Sequence, residues 1–141
     1  MSAPSRDGLE VGTVIARESF AIDRGSLVRY AGASGDFNPI HYRDDVAASV
    51  GLPGVLAHGM LTMGLAIQPV VSWLGDPGRL LAYQVRFTKP VVVDPVDGAE
   101  VEVEATVAAL DAEAGTARID LVVRAAGQTV LTKAQVRVSL A

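Results

Sequence analysis

The stretch from Gly59 to Leu74 constrains the fold more than any other part of this chain. It carries no Asp, Glu, Lys or Arg. Such a run reads as a helix apolar on every side, and a helix of that kind is buried rather than laid on a surface. It falls short of the roughly 20 residues that a membrane-spanning helix needs. Pro69 is expected to kink or shorten it, and Gly75-Asp76-Pro77-Gly78 to close it. After that the character changes. Residues 80–87, 101–110, 118–125 and 129–140 alternate or run apolar and are rich in valine. Turn-forming residues separate them, so they predict strands of an antiparallel sheet. One buried helix followed by a long antiparallel sheet makes an α+β domain with the sheet wrapped around that helix.

The first half supplies the remaining elements. Residues 11–22 are rich in β-branched side chains and predict a first strand. Asp23 is a candidate N-cap for a helix carrying Leu27, Val28, Tyr30 and Ala31, which Gly32 and Gly35 end. Residues 42–50 predict a short helix with Asp44 and Asp45 near its start. Residues 1–10 read as a flexible tail, and residues 11–141 as one domain, a length that buries a core without staples.

Composition excludes several function classes. The 141 residues are 50% hydrophobic and 20% charged, with net charge −4. Basic residues are scattered, so a nucleic-acid partner is not expected. Without cysteine there is no disulfide, no thiolate nucleophile and no cysteine-ligated metal. Residues 1–12 lack the basic start and apolar core of a signal peptide. A cytoplasmic protein without a membrane span is expected.

Chemistry concentrates around the chain's two histidines, His41 and His58. In Ser34-Gly35-Asp36-Phe37-Asn38-Pro39-Ile40-His41, Asp36 stands five residues before His41. On a regular helix that spacing would separate them. Asn38-Pro39 forces a turn instead, and a turn can aim a carboxylate and an imidazole at one point. Such a pair suits proton transfer and water chemistry. A surface turn beside a structural histidine is the plain alternative. Two histidines are too few to complete an ordinary metal site, so no metal is expected. Ala57-His58-Gly59-Met60 opens the apolar helix, where free backbone N–H groups can hold a carbonyl or enolate oxygen. The alternative there is a tight-packing glycine and a capping or packing histidine. Arg86 and Lys89, at the end of the next strand, are candidates to meet a phosphate, or else simply solvated.

The segment 30–41, Tyr-Ala-Gly-Ala-Ser-Gly-Asp-Phe-Asn-Pro-Ile-His, resembles the hydratase signature of the MaoC-like dehydratases. Residues 57–64 are similar to the start of that family's central helix, and Arg86-Phe87 with Pro90-Val91 to the strand after it. The narrower likeness is to catalytic B-type subunits of actinobacterial (3R)-hydroxyacyl-ACP dehydratases. The resemblance implies a hot-dog fold and reversible dehydration of (3R)-3-hydroxyacyl thioesters, in type II fatty-acid or mycolic-acid-like elongation. It implies Asp36 and His41 as the acid/base pair, the Gly59 backbone as oxyanion site, and Asn38 and Ser34 in support. It implies no cofactor beyond the CoA or acyl-carrier phosphopantetheine arm of the substrate. The expected assembly is a homodimer, or a heterodimer with a related non-catalytic hot-dog subunit. Alternatives are an (R)-specific enoyl-CoA hydratase of β-oxidation or polyester precursor supply, a hot-dog thioesterase, and a non-catalytic tunnel-shaping subunit.

Overall fold

The computed structural model describes residues 7–140. The expected tail therefore lies largely outside the described residues; of its described part, Leu9 packs against the core. Strand β1 (Val14–Ile22) runs into Asp23, whose side chain accepts the Ser26 N–H at 2.7 Å. Ser26 Oγ accepts the Asp23 N–H at 3.2 Å in return. This reciprocal capping box starts helix α1 (Arg24–Ser34). Gly35, at φ 75°, ends it and bonds the Ala31 carbonyl. Gly32 does not end it but lies inside, because only the residue past the last turn needs the left-handed conformation.

A 3-10 turn (Pro39–His41) and helix α2 (Asp44–Ser49) lead to helix α3 (Gly59–Leu74). Pro69 does not shorten α3, which continues to Leu74 and ends at Gly75 in the left-handed region. Nor is α3 buried on every side. Thr62, Ala66, Ile67, Pro69, Val70 and Leu74 are buried, whereas Met60, Gly64, Gln68 and Ser72 are exposed. Those four recur at intervals of one helical turn, so the exposed residues form one stripe.

Strands β2 (Leu80–Phe87), β3 (Ala99–Asp111), β4 (Thr116–Ala125) and β5 (Gln128–Ser139) complete an antiparallel sheet in the order β1-β3-β4-β5-β2. Alternation decides its faces. Val101, Val103, Ala105 and Val107 of β3 face inward, opposite Ile119, Leu121 and Val123 of β4. These meet Val136 and Ala134 of β5 in turn. Helix α3 touches both β1 and β2, the two outer strands. A flat five-strand sheet is roughly 19 Å across, while a helix with its side chains is about 10 Å wide. One helix reaches both edges only if the sheet curls around it, the hot-dog arrangement. Tyr83 anchors that wrap by donating its hydroxyl to the Met63 carbonyl at 2.8 Å, and burial pushes the phenol's pKa up. Among the described residues no helix is long and apolar enough to cross a membrane.

Two predictions follow from the connections. Gly98 adopts φ 69° and exchanges two backbone bonds with Asp94. A Cβ there would press into the Ile22 carbonyl oxygen. Gly98→Ala is expected to lower stability by about 2–3 kcal/mol, read from the urea midpoint. The second concerns Asp23. The Ser26 N–H, foremost, holds its carboxyl below the ordinary aspartate value of 3.8. A depressed folded pKa contributes stability above the unfolded value and loses it as pH falls through the folded one. The wild-type advantage over Asp23→Asn in thermal melts is therefore expected at neutral pH and should vanish in strong acid.

Candidate active site

The segment between α1 and α2 is built from short side chains that bond their own backbone. Ser34 Oγ accepts the Asp36 N–H at 3.1 Å. Asp36 Oδ1 accepts the Asn38 N–H at 3.1 Å, and Asn38 Oδ1 accepts the Ile40 N–H at 3.2 Å. Three successive bonds of the i to i+2 kind give the loop one shape without regular secondary structure. Pro39 then opens the 3-10 turn that delivers His41. Ser34 and Asn38 thus each hold a backbone N–H of the loop.

His41 is fixed from behind. Its Nδ1 lies 2.7 Å from the Leu56 carbonyl oxygen. A carbonyl only accepts, so Nδ1 carries a hydrogen, and in the neutral ring Nε2 presents the lone pair. The Leu56 N–H also bonds the Ile40 carbonyl at 3.1 Å. The free Nε2 faces Asp36 Oδ2 at 3.7 Å. That is too long for a direct hydrogen bond but short enough to pass a proton through one water or a small closing movement. The Asp36 side chain is half exposed, whereas that of His41 is 10% exposed. One partner meets water and the other meets the protein interior.

Gly59 is the first residue of α3, and the His58 side chain does not cap the helix. The N–H groups of a first turn have no intrahelical acceptor. A Cβ at Gly59 would stand 3.0 Å from Phe87 Cε1, so the glycine lets the ring lie against the helix start. His41, Gly59, Thr62, Phe87, Lys89 and Val130 are among the residues lining a cleft of about 310 Å³. Asp36 is not among its lining residues. Lys89 lines this cleft; Arg86 does not. A larger open depression, about 470 Å³, lies on the outward face of β1, β3 and β4. Its Arg17 and Glu104 pair with each other, and it holds no histidine.

Leu56, Thr62 and Phe87 were not foreseen as site residues from sequence, while His58 takes the packing rather than the capping place. Leu56 acts through its backbone, which no side-chain pattern reveals. His58 had a visible signal, being one of two histidines. Its ring is 1% exposed and stacks on His41 with centroids 3.8 Å apart and planes at 22°. Asp36, His41 and His58 therefore offer three ligand-type atoms within 4.8 Å of one another. They fit a metal poorly. Imidazole lone pairs lie in the ring plane, and two stacked planes inclined by 22° do not meet at a metal–nitrogen distance of about 2.1 Å.

A family model described as "MaoC like domain" matches residues 10–134. The chain belongs to the MaoC-like dehydratase family. It is 40% identical over 77 residues to 3-hydroxyacyl-thioester dehydratase X of Mycobacterium tuberculosis, a match covering 55% of this chain and 26% of that protein. A solved MaoC-like dehydratase superposes with a TM-score of 0.95 at 37% identity, covering 99% of this chain and 43% of the other. The (R)-hydratase from A. caviae involved in PHA biosynthesis gives a TM-score of 0.83 at 29% identity, over 96% of this chain and 99% of its own. The chain thus spans less than half the length of the first two and nearly all of the third.

Proposed function

We propose that this chain catalyses the reversible dehydration of (3R)-3-hydroxyacyl thioesters to trans-2-enoyl thioesters. The observation that carries the reading is the His41 tautomer: the Leu56 carbonyl occupies Nδ1 and leaves Nε2 as a base beside Asp36. The whole-length likeness to an (R)-hydratase supports the stereochemistry. The likeness to a 3-hydroxyacyl-thioester dehydratase supports a fatty-acid-type role.

In the dehydration direction the Asp36–His41 pair starts with one proton, on Asp36. His41 Nε2 takes the α-proton, and the electron pair moves into the thioester carbonyl. The Gly59 N–H holds the resulting enolate oxygen. The enolate collapses to the double bond as the C3–O bond breaks, and Asp36 gives its proton to the departing hydroxyl. Water leaves, and the His41 proton returns to Asp36. The first step is a proton transfer from carbon and the second a C–O cleavage assisted by proton transfer to oxygen; neither changes a net oxidation state, so the route calls on no redox cofactor. The thioesterase alternative differs in its product, since it would release free thiol where a dehydratase releases none.

Lys89, in the cleft lining, suits a phosphate on a CoA or carrier arm. Met60 and Phe87 are more than half exposed, and β2, an edge strand, has one side unpaired. Apolar side chains beside an open strand edge suit pairing with a second hot-dog subunit, identical or related.

Purified chain assayed with crotonyl-CoA is expected to lose enoyl absorbance without releasing thiol. Asp36→Asn and His41→Ala are each expected to lower kcat by about 10³-fold with the melting temperature little changed. Near-wild-type turnover in either folded variant would end the proposed pairing. Lys89→Ala is expected to raise KM for the CoA thioester several-fold at nearly constant kcat, the signature of lost uniform binding. An unchanged KM would remove Lys89 from the substrate site.

A further inference from the structure

His58 stands at the N-cap of α3, where Ser, Thr, Asp or Asn would ordinarily bond the first turn. Its side chain makes no such bond. It reaches instead across the chain, with Nε2 3.1 Å from the backbone carbonyl oxygen of Asp36. Because that oxygen only accepts, Nε2 carries the hydrogen. One face of the ring stacks on His41, and Tyr30 packs edge-on with centroids 4.8 Å apart. Nδ1 is buried without a protein partner, so the Nε2 bond is the one polar anchor this ring has among the described residues.

We infer that His58 is a positioning residue for the acid/base pair, acting through its Nε2–H bond to the Asp36 carbonyl. This rests on the reading of Asp36 and His41 as that pair. The loop's own bonds fix its internal shape, but they run only between residues 34 and 40. They do not fix where Asp36 stands relative to the helix that carries Gly59. His58 adjoins Gly59 and grips Asp36, so it ties the Asp36 backbone directly to the oxyanion site. Its stacked ring sets the plane in which His41 presents Nε2. A displacement of about 1 Å in such a constellation can cost about 10²-fold in rate.

Two variants separate the bond from the packing. His58→Leu fills the space without a donor, and His58→Gln restores an N–H near the Nε2 position without a ring. His58→Leu is expected to lower kcat by about 10²-fold with KM within about threefold. His58→Gln should recover at least about tenfold of that loss, which a purely structural role would not require. A folded Leu variant with near-wild-type kcat, or a Gln variant as slow as Leu, would overturn the inference. Imidazole ¹⁵N spectra of the wild-type chain give a readout independent of turnover. They should show His58 as the Nε2–H tautomer and His41 as the Nδ1–H tautomer. Finding His58 protonated at Nδ1 alone would overturn the inference even if neither variant folds. If wild type turns over no enoyl thioester while the His58 tautomer is as expected, the hydratase reading fails and the contact stands.

Discussion

The bond from His41 Nδ1 to the Leu56 carbonyl is the contact on which the site depends. Leu56 stays in place because its neighbours are tied across the chain. The Ala57 N–H bonds the Val91 carbonyl and the Val93 N–H bonds the Val55 carbonyl, each at 2.9 Å. Val55, Val91 and Val93 are all buried. The strap that fixes the histidine tautomer is thus a short β-ladder between the segment before α3 and the connection leaving β2. His41, on the connection between α1 and α2, is thus set by ladder bonds that each span more than 30 residues of sequence.

Rigid and adaptable parts are divided accordingly. The sheet's inner face and the buried face of α3 carry the apolar burial that stabilises the domain, at roughly 25 cal/mol per Å² removed from water. The loop that carries Asp36 and His41 adds little to that burial. Between residues 32 and 42 only His41 is buried. Its order comes from backbone bonds to Ser34, Asp36 and Asn38 and from the two histidines, which dock on one another and on the helix start. Arg24 adds a strap of the same kind: its guanidinium donates to the Val93 carbonyl at 2.6 Å and to both Asp44 oxygens. That links α1, α2 and the ladder that holds Leu56.

Much of this was legible in the sequence for a physical reason. Strand alternation and helix ends are local properties, so β2, α3, the Asp23 cap and the strands after Gly98 fell close to their observed bounds. Asp36 and His41 were legible because Asn38-Pro39 compels a turn between them. What local pattern could not supply was the exposure of one α3 stripe. Gly64 is small, Gln68 bonds the Gly64 carbonyl of its own helix, and neither side chain states whether anything packs over it. Gly32 misled because a glycine before the true end of α1 carries the same signal as Gly35. Arg86 and Lys89 were equivalent by charge, and only the end of β2 shows that one lines the cleft and the other does not.

The roles of the two imidazoles follow from the same elementary fact, that a backbone carbonyl can only accept. The Leu56 carbonyl consumes the proton on His41 Nδ1, and the Asp36 carbonyl consumes the proton on His58 Nε2. The identical side chains are therefore held as opposite tautomers, one with its free lone pair toward the carboxylate and the other with its free lone pair buried. Exchanging those two carbonyl contacts would leave residue types, burial and stacking unchanged, yet it would place the hydrogen of His41 on Nε2, the nitrogen that faces the carboxylate. What distinguishes the two rings is which main-chain oxygen faces which ring nitrogen: the ladder places the Leu56 oxygen, and the loop's own side-chain bonds shape the segment that carries the Asp36 oxygen.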